Sequence, residues 1–123
     1  EFLKTKEKLI LGIYSLDDVL AIFPEHSTQY RPKRVQKSIK AKSIYTSKNG
    51  AVFSADENKK LLRESKFVSS QKLPINIDIT IFDNNVAISS LKGKIGGTII
   101  THPEIAKSFK GFFNLLWKAV EKN

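Results

Sequence analysis

Residues 75–90, with the sequence INIDITIFDNNVAISS, decide the class of fold. From Ile75 to Ile81 every second residue is an isoleucine and the residues between are polar, which is the period-two pattern of a strand with one buried face. Asp83-Asn84-Asn85 forms a tight turn, because short polar side chains of this type tolerate a positive φ. Residues 86–90 return from the turn, so this stretch predicts an antiparallel hairpin.

The N-terminal half alternates strands with helices. Residues 8–14 (KLILGIY) and 39–46 (IKAKSIYT) predict two strands, which we expect to be parallel. Between them, Ser15 can cap one helix, and a second helix runs to about residue 37, shortened or divided by Pro32. Ser54 and Glu57 have the capping-box spacing, so a helix should run from there to about residue 64. A short strand over 66–69 follows.

The C-terminal part continues beyond the hairpin. Gly93, Gly96 and Gly97 form a flexible corner, 97–101 (GTIIT) is a further strand, and Pro103 opens a helix to about residue 122. The aromatic residues of this last helix either pack in the core or cover a partner subunit. We therefore predict an α/β (α+β) fold with a mixed β-sheet of about five to six strands flanked by helices, as a single domain over 1–123.

Composition narrows the class of protein. The 123 residues are 41% hydrophobic, which suits one packed domain, and there is no cysteine to form a disulfide or a thiolate metal site. No apolar run approaches the roughly 20 residues that cross a bilayer. We expect a cytoplasmic protein without a membrane partner. Because the chain begins at Glu1 rather than Met, we also expect it to be part of a longer protein.

Reactive groups are too sparse to predict catalysis. The only two histidines, His26 and His102, are far apart in sequence, and His102 precedes a helix where it can act as a cap. Acidic residues are scattered rather than spaced for a metal, and the glycines at 93–97 match neither a P-loop nor a dinucleotide fingerprint. We predict no catalytic residue, no metal site and no cofactor.

Basic residues are concentrated in one stretch. The formal net charge is +9, and no acidic residue occurs between Thr28 and Ala55. We name as the basic stripe the cations of this stretch, Arg31, Lys33, Arg34, Lys37, Lys40, Lys42 and Lys48. Such a stripe can bind nucleic acid through phosphates. It can equally be a solvated surface whose lysines protect a strand edge from aggregation.

Taken in order, these segments resemble TrmB-like transcriptional regulators. The likeness rests on the hairpin at 79–90, the glycine-containing strand at 97–100, and a closing helix with Ile105-Ala106, Phe113 and Leu116-Trp117. The segments at 34–42 and 60–64 also resemble that family. The resemblance implies a C-terminal effector domain of phospholipase D-like fold, with a winged helix-turn-helix in the N-terminal part of the full-length protein.

The resemblance also implies what the domain does. True phospholipase D enzymes carry His-x-Lys motifs, whereas His26 is followed by Ser27-Thr28 and His102 by Pro103-Glu104, so phosphodiesterase chemistry should be absent. We therefore expect a non-catalytic, ligand-sensing or oligomerisation domain, homodimeric, whose DNA contacts come from the N-terminal domain. The alternative is a direct nucleic-acid-binding module that uses Arg31, Lys33, Arg34, Lys37, Lys40 and Lys42. A small anionic ligand would contact Arg34 and Arg63.

Overall fold

The computed structural model describes residues 6–22 and 31–120, and of residues 31–33 the backbone alone. The strands are β1 (Leu9–Ser15), β2 (Lys40–Thr46), β3 (Arg63–Phe67), β4 (Ile77–Phe82), β5 (Asn85–Ser90) and β6 (Gly96–Thr101). The helices are α1 (Leu16–Ile22), α2 (Arg31–Gln36), α3 (Ala55–Lys60) and α4 (Pro103–Ala119). The prediction for His26 lies outside the described residues.

The six strands form one mixed sheet in the order β3-β2-β1-β4-β5-β6. β1, β2 and β3 are parallel to one another, whereas β1–β4, β4–β5 and β5–β6 are antiparallel pairs. The parallel half therefore comes from strand–helix–strand connections and the antiparallel half from hairpins. This confirms the predicted class of a mixed sheet flanked by helices; the phospholipase D-like detail stays a prediction.

The main core lies between the sheet and α4. Its buried members are Leu11, Ile44, Ile81, Val86, Ala106 and Phe113. Because side chains alternate across a strand, Ile10 and Phe82 lie on the opposite face, where they form a smaller cluster with Ile39. We call the first face the α4 face and the second the opposite face.

Several boundaries differ from the sequence predictions: β3 spans Arg63–Phe67 rather than 66–69, and β6 already begins at Gly96. The turn of the hairpin is Asp83–Asn84, with Asp83 at φ 52°, and Asn85 already pairs with Phe82 as the first residue of β5. Helix α3 ends at Lys60 instead of continuing to about residue 64, because the chain reverses at Leu62, which has φ 52°. Arg63 is therefore the first residue of β3, so placing it at a helix end was wrong.

Capping explains how two helices begin. The Ser54 hydroxyl accepts a hydrogen bond from the Glu57 backbone N–H, as the capping-box spacing predicts. At α4, His102 Nδ1 accepts from the backbone N–H groups of Glu104 and Ile105, and Pro103 follows in the first turn. The predicted capping role of His102 is confirmed.

Candidate functional site

The basic stripe does not form one continuous cationic surface in the part of the chain that the structure describes. Arg34 is only 2% exposed, and its Nη1 donates a 2.7 Å hydrogen bond to the backbone carbonyl of Ile39. Lys37 and Lys40 are exposed, and Lys42 is half-buried. Arg31 and Lys33 lie on α2. Contact of these residues with nucleic acid stays a prediction.

Lys42 faces an aromatic ring rather than open solvent. Its Nζ lies 4.7 Å from the centre of the Trp117 ring and 3.8 Å from a carboxylate oxygen of Glu64. Lys66 lies 4.5 Å from the same ring, and its Nζ donates hydrogen bonds to the backbone carbonyls of Trp117 and Val120. These ammonium groups hold the C-terminal end of α4 on the sheet, because cations stabilise both the indole face and the last carbonyls of a helix.

Arg63 is also built into the fold. It is 7% exposed, its Nε donates to Asn58 Oδ1 at 2.8 Å, and its guanidinium lies 3.8 Å from the centre of the Phe53 ring. Asn58 Oδ1 accepts a second hydrogen bond from Ser65 Oγ, so one amide ties α3 to β3. A ligand anion would therefore meet an arginine that already binds protein groups.

A cavity that the sequence did not predict lies on the opposite face of the antiparallel half. Its volume is about 310 Å³, and its lining residues are Asp78, Thr80, Ala87, Ser89, Ser90, Leu91, Ile95 and Gly96. We call it the β4–β6 pocket. Asp78 pairs with Ser89, and Ser89 pairs with Gly97, so these three residues lie side by side across β4, β5 and β6. They form a floor without bulky side chains.

Asp78 gives this pocket its chemical character. Burial raises the pKa of its carboxyl, an effect partly offset by the hydrogen bond that Thr80 Oγ1 donates to Asp78 Oδ1 at 3.2 Å. Ser90 Oγ donates to the carbonyl of Lys92, while Leu91 and Ile95 add apolar surface. The pocket therefore suits a small ligand that offers a hydroxyl or an ammonium to a carboxylate and has an apolar portion.

The mid-strand position of Asp78 was visible in the sequence, but its burial was not. The isoleucine alternation assigns Asn76, Asp78 and Thr80 to the face away from the core, where water is the ordinary surrounding of a carboxylate. The turn after β5 brings Leu91 and Ile95 beside it, and only the fold shows this juxtaposition. The predicted anion contacts, Arg34 and Arg63, do not line this pocket.

Two further properties of the described residues concern membrane spans and metal sites. None of the described helices is long and apolar enough to span a bilayer. Within residues 6–22 and 31–120, no three histidine or acidic side chains converge as metal ligands would.

The fold is similar to that of TrmBL2, an archaeal chromatin protein whose structure shows a novel mode of DNA binding. The TM-score is 0.61 at 20% sequence identity, over 94% of this chain and 45% of that chain. No protein-family model and no curated protein matches the sequence. The chain thus has the fold of a region that amounts to about 45% of TrmBL2.

Proposed function

We propose that this chain is the non-catalytic regulatory domain of a TrmB-like DNA-binding protein, where it senses a ligand or joins subunits. The observation that carries the proposal is the correspondence of 94% of the chain with less than half of TrmBL2. In a protein of the length of TrmBL2, more than half of the chain lies outside the matched region and could hold a separate DNA-reading domain. The resemblance in sequence implies that this domain is a winged helix-turn-helix.

Features of the histidines support the non-catalytic part. His102 Nδ1 is engaged by two backbone N–H groups at the start of α4, which is a structural task. Neither histidine has a lysine two residues further on, so the nucleophile and phosphate clamp of a phospholipase D site do not occur in this sequence. The domain would act through binding and assembly.

Direct binding of nucleic acid through the basic stripe has less support. Phosphate contacts need exposed cations. Arg34 is buried against the Ile39 carbonyl, and Lys42 faces Trp117 and Glu64. The exposed lysines of the stripe, among them Lys37 and Lys40, contribute a general positive field rather than an organised site.

The sensing role is tested by titrating the labelled chain with small amines, polyols and monosaccharides while recording amide NMR spectra. We expect one of these classes to shift the amides of Thr80, Ser89 and Gly96. Asp78→Asn should weaken that binding, whereas Asp56→Asn, an exposed acid on α3, should leave it unchanged. If no compound perturbs these amides, or if Asp78→Asn binds as the wild type does, the β4–β6 pocket is not the sensing site.

A further inference from the structure

Helix α4 has two apolar stripes, and the sheet uses only one of them. The inward stripe comprises Ala106, Phe109, Phe113, Leu116, Trp117 and Val120, all of which belong to the α4-face core. The second stripe consists of four apolar residues and one serine, all exposed: Ile105, Ser108, Phe112, Leu115 and Ala119. Phe112 is 64% and Leu115 73% exposed, which is unusual for large apolar side chains that lie together on one helix.

The spacing of the second stripe is that of a helix–helix seam. Its members follow one another at alternating steps of three and four residues, which is the a/d pattern of paired helices. Beside the stripe, on the side away from the sheet, Glu104, Gly111 and Lys118 recur every seven residues. They therefore form one row along the edge of the stripe.

Gly111 has no role inside its own chain that requires glycine. A Cβ added there would meet nothing within 4 Å, and its φ is not positive. Glycine in the middle of a helix costs roughly 0.5–1 kcal/mol relative to alanine. A close approach of a second backbone at this point would give the missing side chain a purpose.

Charged residues at the two ends of α4 favour a second copy of this chain in the antiparallel direction. Glu104 is in the first turn of α4 and Lys118 in the last. An antiparallel copy centred on Gly111 brings Glu104 of each helix beside Lys118 of the other, because the two lie seven residues to either side of the centre. In the same arrangement Phe112 lies one residue from the centre and so comes close to its own copy, and Ile105 lies level with the space between Leu115 and Ala119 of the other helix. In a parallel copy the row of Glu104 and Lys118 would instead lie beside the opposite edge of the partner's stripe, where neither charge meets the other.

We propose that two copies of this chain associate through the second stripe of α4, antiparallel about a two-fold axis at Gly111. This proposal specifies how the chain would join subunits. Its biological role rests on the proposed function, whereas the geometry of the dimer does not. The interface would be small, so we expect association in the micromolar range rather than an obligate dimer.

Sedimentation equilibrium from low to high micromolar concentration tests the proposal on the whole chain. Phe112→Glu should weaken association roughly tenfold or more, whereas Leu20→Glu, an exposed apolar residue of α1, should not. Gly111→Ala should raise the melting temperature of the monomer and yet weaken the dimer several-fold, because only a facing backbone is harmed by the added methyl. A wild type that is monomeric throughout, or a dimer that tolerates Phe112→Glu, would overturn the proposal.

A charge-exchange experiment tests the direction. Glu104→Lys and Lys118→Glu should each weaken the dimer, and the double variant should regain it. Each change opposes the dipole of α4, so their effects on the helix itself add, and recovery can come only from the pairing between copies. Failure of the double variant to recover would exclude the antiparallel arrangement. Ligand and DNA measurements are independent of this result, so the proposed function can stand or fall separately.

Discussion

The structure gives a direct reason to expect that Gly97→Ala lowers the free energy of unfolding. A Cβ at Gly97 would lie 2.7 Å from Ser89 Oγ, 2.8 Å from the Ile88 carbonyl oxygen and 3.1 Å from Ser89 Cα. The hydroxyl can rotate away, but the carbonyl and the Cα belong to the backbone of β5. The strands must therefore separate by several tenths of an ångström where Ser89 pairs with Gly97.

Overpacking of this kind costs roughly 1–3 kcal/mol, so Gly97→Ala should lower the free energy of unfolding by that amount. Gly96→Ala is the matched control, because a Cβ there meets nothing within 4 Å. Its effect should lie within about 0.5 kcal/mol of zero or be slightly stabilising. Urea denaturation followed by circular dichroism measures both differences.

A double variant separates the two sources of the clash. Ser89→Ala removes the hydroxyl but leaves the Ile88 carbonyl, so adding it to Gly97→Ala should recover only part of the loss. If Gly97→Ala is as stable as Gly96→Ala, the register between β5 and β6 differs from the one described, and the floor of the β4–β6 pocket with it.

Three further predictions concern buried or bridging side chains. Arg34→Ala should cost roughly 1–3 kcal/mol in urea denaturation, because it leaves a buried carbonyl without its donor, whereas the exposed Lys37→Ala should be near neutral. Lys66→Met should cost about 1 kcal/mol and increase amide exchange in the last turn of α4, whose carbonyls it bonds. Burial raises the pKa of Asp78, so the folded state binds this proton more tightly than the unfolded state and stability falls as pH rises through the interval above about pH 4. Asp78→Asn should therefore be more stable than the wild type at pH 7, and the difference should shrink below about pH 4.

The sequence predicts those parts of the fold that local pattern dictates. The isoleucine alternation at 75–81 predicts which face of β4 is buried, and the polar turn after it predicts the hairpin. The cap at Ser54 is equally local. The end of α3 is not, because Leu62 adopts a positive φ while its carbonyl pairs with Ala41 N–H of β2, far away in sequence. Sheet pairing there overrides the helical tendency of 60–64.

The sites depend on contacts between distant residues, which is why the sequence located them less well. The sequence predicts Arg34 and Arg63 as anion contacts because they lie in a basic segment and at the expected end of a helix, but both are buried. In the closing helix, Ile105 and Phe112 fitted the same apolar pattern as Phe113. Phe112 and Phe113 point in directions about 100° apart around the helix axis, so the apolar pattern divides into two stripes. Only the position of the sheet shows which stripe is exposed.

Measuring the affinity of this chain for DNA is the sharpest test of the proposed regulatory role. A fluorescently labelled random duplex is titrated with the chain, and anisotropy is followed at low and at near-physiological salt. We expect weak binding at low salt, from the net charge of +9, that disappears at physiological salt because Arg34 and Lys42 already contact groups of the protein. Tight binding that persists at physiological salt would contradict the account and make the basic stripe a nucleic-acid interface.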